Sequence, residues 1–176
     1  MHELRPATAA DLPALRRLMA RAIDALQSSY LSADQVAASR LVMGLDTQLI
    51  ADGTYFVVET GDRIAGCGGW SRRATLYGGD HSAGLREPRL LDPASEAARV
   101  RAMYTDPDHV RRGIGRAILS ACEAAAAVEG FRRAELMATL AGEPLYSAAG
   151  YAEIERIVDE SGPVGVPLIR MGKALA

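Results

Sequence analysis

The segment Tyr104-Thr105-Asp106-Pro107-Asp108-His109-Val110-Arg111-Arg112-Gly113-Ile114-Gly115-Arg116-Ala117-Ile118-Leu119 has the residue types and spacing of an anion site. It reads as the end of a strand, a basic loop holding two glycines, then a helix that begins at those glycines. The first turn of a helix carries unpaired N–H groups, and the helix dipole favours negative charge there. Gly113 and Gly115 lack a Cβ, so a ligand can approach the backbone closely. Arg111, Arg112 and Arg116 add positive charge around the same point. The predicted ligand is therefore rich in phosphate. Two common phosphate motifs are absent. No G-x-x-x-x-G-K-[ST] occurs, and after Gly113-Ile114-Gly115 the place of a third dinucleotide glycine is taken by Ile118.

The rest of the chain must position this loop. Glu3-Leu4-Arg5 reads as a short first strand. Thr8 or Asp11 can cap a helix running to about Leu26, with Leu12, Leu15, Leu18, Met19, Ala22 and Ile23 at helical spacing. Ser32-Ala33-Asp34-Gln35 is a capping box and starts a second helix. Thr54 to Glu59 and Arg63 to Ser71 form a hairpin about Gly61-Asp62. Residues 73–98 are rich in Gly, Pro and charge and read as a long loop, flexible or lying over a binding face. Arg99 to Thr105 is a strand and Gly113 to Glu129 a long helix. Ala134 to Ala138 is a strand, and Glu143 to Ala149 a short helix ended by Gly150. Tyr151 to Val158 and Val166 to Met171 close the order. On a regular strand, Arg99, Arg101, Met103 and Thr105 share one face and Val100, Ala102 and Tyr104 the other.

Composition narrows the function. At 176 residues the chain is long enough for one domain with a real core, spanning 1–176. The net charge of −2 argues against a nucleic-acid partner, since the basic groups are local, around 111–116 and 132–133. Cys67 and Cys122 make neither a metal spacing nor a disulfide framework, so no metal is expected and a reduced cytoplasm fits best. No basic run precedes an apolar core at the N-terminus. No run of about 18 apolar residues occurs, so no membrane span is expected. Both cysteines and Trp70 read as core.

The glycine loop resembles motif A of the Gcn5-related N-acetyltransferases (GNAT), whose pattern is Q/R-x-x-G-x-G/A. Here it is Val110-Arg111-Arg112-Gly113-Ile114-Gly115, with Val110 where Gln or Arg is usual. About thirty residues on, Leu145-Tyr146-Ser147-Ala148-Ala149-Gly150-Tyr151 matches the family's tyrosine four residues before a Gly-Phe or Gly-Tyr pair. The element order also matches, so the resemblance covers nearly the whole chain. It implies an α/β (α+β) single-domain GNAT fold. That fold is a mixed, mostly antiparallel sheet of six to seven strands, with helices on both faces and a splayed parallel strand pair.

The resemblance implies acetyl-CoA as cofactor and direct transfer of its acetyl group to an amine, with no covalent enzyme intermediate. Val110 to Arg116 would hold the pyrophosphate. Met103, Tyr104 and Thr105 would pair with the pantetheine amides as an extra strand, and an N–H there would polarise the thioester carbonyl. Tyr146 is the expected general acid: a phenol with pKa near 10 can donate to a leaving thiolate. Thr139 stands in for an asparagine that often bonds the pantetheine arm. The Glu that many relatives carry before motif A is missing, so deprotonation goes through water or uses Glu96, Tyr30 or His81. Arg99 and Arg101 on an open face would suit a substrate carboxylate or phosphate. The expected acceptor is a small amine or amino-acid derivative, with a protein N-terminus or lysine as the alternative. A module that binds CoA without catalysis, and an enzyme for another phosphate ligand, are the rival readings. A homodimer through the C-terminal strands is also expected, the apolar tail Val164 to Leu175 serving either that contact or a core strand.

Overall fold

A computed structural model describes all residues, 1–176. Its seven strands are β1 (His2–Pro6), β2 (Tyr55–Thr60), β3 (Arg63–Ser71), β4 (Ala98–Thr105), β5 (Arg133–Thr139), β6 (Ala152–Asp159) and β7 (Val166–Ala174). They form one sheet in the order β1-β2-β3-β4-β5-β7-β6. Every neighbouring pair is antiparallel except β4 and β5. The helices are α1 (Leu12–Gln27), α2 (Ala33–Ser39), α3 (Thr47–Ala51), α4 (Ile114–Val128) and α5 (Glu143–Ala148).

The helix starts follow the local chemistry. Ser32 and Gln35 cap α2 reciprocally, the Gln35 N–H donating to Ser32 Oγ at 3.2 Å and the Ser32 N–H to Gln35 Oε1 at 3.0 Å. The short helix α3 is an element that periodicity did not announce; it is five residues long and its signal is the Asp46 cap, which accepts from the Gln48 N–H. The apolar stripe of α1 (Leu15, Leu18, Met19, Ala22, Ile23) packs with Val57, Cys67 and Tyr104 on one face of the sheet. On the other face Ile114, Ile118, Cys122 and Ala126 of α4 pack with Val58, Ala65, Trp70 and Ala98. Both cysteines and Trp70 are core.

Glycines in β3 let α4 come close. A Cβ on Gly66 would lie 2.4 Å from Ile114 Cγ2, and one on Gly68 would lie 2.9 Å from Ile118 Cγ2. The missing side chains are thus what seats the first turn of α4 against the sheet. Strand β7 runs between β5 and β6 with Val166, Leu168, Ile169 and Met171 buried. The apolar content of the C-terminal tail is therefore core, and the edge strand on this side of the sheet is β6.

Regular alternation fails in β4. Ala102 is left-handed (φ 51°), and the register against β3 slips by one residue between Cys67 and Gly69. The bulge returns Met103 to the face of Ala98 and Val100, towards α4, and puts Tyr104 with Arg101 on the α1 face. The expected grouping of Arg101 with Met103 is thereby corrected. The Ala102 carbonyl, turned out of the ladder, accepts from the buried Tyr55 hydroxyl at 2.6 Å.

Candidate active site

The bulge opens the sheet. Parallel pairing of β4 with β5 is confined to Ala98–Ala134 and Arg99–Glu135. A bulged strand bends and twists away from its neighbour, so the β4 edge beyond Arg99 has no β5 partner. A cavity of about 600 Å³ lies in this gap. It touches Met103, Tyr104 and Thr105 on β4, Thr139 at the end of β5, the first turn of α4, Tyr146 on α5 and the C-terminal turn of α1.

The glycine loop forms one end. Arg111 (φ 61°) and Gly113 (φ 79°) are both left-handed, and Gly113 is the N-cap of α4. Turns of this kind gather backbone N–H groups into an anion-binding concavity. Gly113 has open space where a Cβ would stand. Val110, Arg111, Gly113, Gly115 and Arg116 line the cavity; the Ile114 side chain is core, so only its backbone is available to a ligand. Arg112 is exposed and outside the lining. Arg21 of α1 fixes the turn before the loop, donating to Asp106 at 2.6 Å and to Asp108 at 2.9 Å. His109, unremarked in the sequence, also lines this end.

Tyr146 of α5 also lines the cavity. Its ring is 8% exposed and stacks edge-on with Tyr151 at 6.0 Å. Burial pushes its phenol well above the ordinary range, so the group stays a proton donor. Tyr151 packs, as its place after Gly150 suggests. Thr139 Oγ1 accepts from the Gly142 N–H at 3.1 Å, leaving the hydroxyl proton for a ligand.

The candidates for base separate clearly. Tyr30 lines the cavity; Glu96 and His81 do not. The Glu96 carboxylate is clamped by Arg89, with contacts at 2.9 and 3.1 Å, which pulls its pKa down to about 2. The His81 ring bonds the Arg40 carbonyl. No Asp or Glu lines the cavity at all.

Arg99 and Arg101 are not open cations. Arg99 donates to Glu135 at 3.1 Å, across the last rung of the parallel pair. Arg101 is 3% exposed and donates to Asp46 at 2.9 Å and to the Gly78 carbonyl at 2.7 Å. The expectation that they hold an anionic substrate is corrected: each is already paired. The 73–98 loop supplies Leu76, Tyr77 and Gly78 to the cavity wall. It is pinned by backbone bonds such as Ala74 N–H to Arg89 and Thr75 N–H to Glu87, both 2.9 Å, and by the Tyr77 hydroxyl donating to Asp159 at 2.6 Å. Gln27 of α1 lies on the cavity wall and is buried. It is a polar residue at the position that continues the Ile23 stripe of α1.

The sequence profile of the Acetyltransferase (GNAT) domain matches residues 51–153. No curated protein sequence matches the chain. Among solved structures, it is similar to a Gcn5-related N-acetyltransferase of Rhodopseudomonas palustris. The TM-score there is 0.71, with 16% identity, 98% of this chain covered and 95% of the other. It is similar to the PaiA N-acetyltransferase of Thermoplasma acidophilum in complex with coenzyme A, with a TM-score of 0.65, 12% identity and 99% of both chains covered. A third similarity is to the ribosomal-protein-S18-alanine N-acetyltransferase of Escherichia coli, with a TM-score of 0.61, 16% identity, and 100% and 95% covered. These likenesses agree with the splayed sheet and the glycine loop at a helix N-terminus, and the profile spans more than half of the chain: the protein belongs to the Gcn5-related N-acetyltransferase family.

Proposed function

We propose that the chain, acting as one domain over residues 1–176, transfers the acetyl group of acetyl-CoA directly to a primary amine of a small molecule or amino-acid derivative. One observation carries this reading: a single cavity joins the α4 N-terminus, the unpaired β4 edge and Tyr146 to further space beyond them. The residues fit the cofactor. Gly113 and Gly115 leave the backbone accessible, Arg111 and Arg116 add charge, and the β4 edge beyond Arg99 has no β5 partner and lines the cavity. The likeness to a protein solved with coenzyme A supports the same choice.

Acetyl-CoA, when bound, supplies a thioester acyl group. The N–H groups of Gly113 to Arg116 would hold its phosphates, and the β4 backbone at Met103, Tyr104 and Thr105 would align the arm. Val110 replaces a side chain that relatives use there, so the backbone does most of this holding. An N–H of that segment would be available to a thioester carbonyl oxygen where negative charge grows. Thr139 donates to the arm. Tyr146 would donate the proton that a departing thiolate takes up as the amine bonds to the acyl carbon, and the amine proton would leave through water, since no carboxylate lines the cavity. The cytoplasm is the proposed location, and a homodimer would use the β6 edge, where Ile154 and Val158 are exposed.

Thermal unfolding with acetyl-CoA, CoA, ATP and NADH tests the cofactor. A ligand at about a hundred times its dissociation constant adds roughly 2.7 kcal/mol to the folded state. A shift with the two CoA species alone, followed by amine-dependent thiol release, is the expected result. Stabilisation by CoA without thiol release across an amine panel would make this a binding module, and no shift with CoA would overturn the reading altogether.

A further inference from the structure

The glycine loop offers the cavity few fixed side chains. Val110 has no polar side-chain atom, and Arg116 donates to the Ala148 carbonyl at 3.2 Å. Arg111 is exposed, and a long exposed side chain loses much rotamer freedom when it is held.

His109 is placed differently. It ends the turn Pro107–His109, just before the loop, and lines the same cavity. Its side chain is 15% exposed, and Nδ1 is buried 3.5 Å from Asp106 Oδ1. That is an ion-pair separation, longer than a hydrogen bond. Nε2 makes no bond within the protein and is not buried. Asp106 is itself fixed: Oδ2 accepts from Arg21 at 2.6 Å and Oδ1 from the Asp108 N–H at 2.9 Å. One ring nitrogen is thus set against a held carboxylate while the other is free. Asp106 and Asp108 bring two negative charges to this turn and Arg21 one positive charge. A His109 protonated on both nitrogens balances the second carboxylate and donates from both sides of the ring.

We propose that His109 is a binding residue for the cofactor's diphosphate: as an imidazolium it donates from Nε2 to a phosphate oxygen, and Asp106 is the positioning residue that holds the ring. This rests on the acetyltransferase reading and deepens it. A half-buried ring beside a fixed carboxylate loses less freedom on binding than an exposed arginine does. It supplies a charged donor next to Val110, which has none, to a site otherwise held by backbone N–H groups.

Calorimetry on the full chain tests this, with two probes. CoA carries the diphosphate and a 3′-phosphate; dephospho-CoA keeps the diphosphate alone. Three substitutions separate the ring nitrogens. His109→Phe keeps the ring shape without nitrogen, His109→Gln keeps a donor near the place of Nε2, and His109→Asn keeps one near the place of Nδ1. Phe and Asn are expected to weaken both probes about tenfold, the scale of a hydrogen bond to a charged group. Gln is expected to bind both about threefold or more tightly than Asn does. An unchanged CoA affinity in a folded His109→Phe would overturn the proposal. So would Asn binding as tightly as Gln, a contrast that decides the matter if the Phe variant fails to fold. A loss seen with CoA and not with dephospho-CoA would overturn it too, by assigning His109 to the 3′-phosphate. Failure of the unsubstituted chain to bind either probe would instead sink the acetyltransferase reading, and this proposal with it.

Discussion

Asp46 Oδ2 accepts from Arg101 Nη2 at 2.9 Å, with both side chains 2% exposed. The other carboxylate oxygen takes Arg86 at 3.1 Å. This pairing joins β4 to the cap of α3 and turns a candidate substrate-binding arginine into part of the cavity wall. Removing Asp46 strands a buried guanidinium. Asp46→Ala is therefore expected to cost about 3–5 kcal/mol, read as a lower denaturation midpoint. A loss under about 1 kcal/mol would mean that water reaches Arg101 and that the pair is not structural.

Tyr146→Phe removes the proposed proton donor and keeps the ring that packs on Tyr151. The rate constant kcat is expected to fall roughly a hundredfold, in the range of general acid catalysis. Stabilisation by CoA should be unchanged. Near-normal turnover would move the acid role to water.

Gly66→Ala places a methyl 2.4 Å from Ile114 Cγ2, a branched side chain held in the core. Overpacking of this kind costs about 1–3 kcal/mol. Because Ile114 is the first residue of α4, the same change is expected to weaken CoA binding. Calorimetry on the variant reads both, and an unaltered CoA affinity would separate the helix start from the cofactor.

With no carboxylate along the cavity, the proposed route has the amine arrive neutral or lose its proton to water. The profile of kcat/KM against pH is then expected to rise and level off near the pKa of whichever amine is used. Two amines of different pKa should give displaced profiles. Coincident profiles would point to a protein base, with Tyr30 at the rim the first to replace.

Asp11 accepts from Arg5 at 2.8 and 2.9 Å, which pulls its pKa from 3.8 down to about 2. A folded-state pKa below the unfolded one contributes stability that is present above the unfolded value. That contribution is lost as pH falls through the folded value. Asp11→Asn is expected to cost about 1–2 kcal/mol at pH 7, the half-exposed Arg5 screening part of the pair. The gap from wild type should close between about pH 4 and 2. A gap that persists at pH 2 would assign it to the Thr8 cap instead.

Much of this protein was legible in one dimension. The capping box at Ser32, the stripe of α1 and the hairpin about Gly61 are local patterns, set by bonds and contacts within a few residues. The glycine loop and the Tyr146 segment are likewise local, which is why they carried the family resemblance. The register of β4 was not. A strand read by alternation assumes no bulge, and the residue that breaks the pattern is an alanine with no turn chemistry of its own. Its left-handed backbone is held from outside, by Tyr55 beneath its carbonyl.

The same division runs through the site. The sequence alone determined that a helix begins at a basic glycine loop, because the signals for a helix start lie within one turn of it. Only the tertiary structure decided that Arg101 is taken by Asp46 and that Glu96 and His81 lie away from the cavity. These partners stand 55, 7 and 41 residues apart along the chain. Whether a polar group is free or paired depends on what the packed fold brings against it, and for most of these groups no local pattern encodes that.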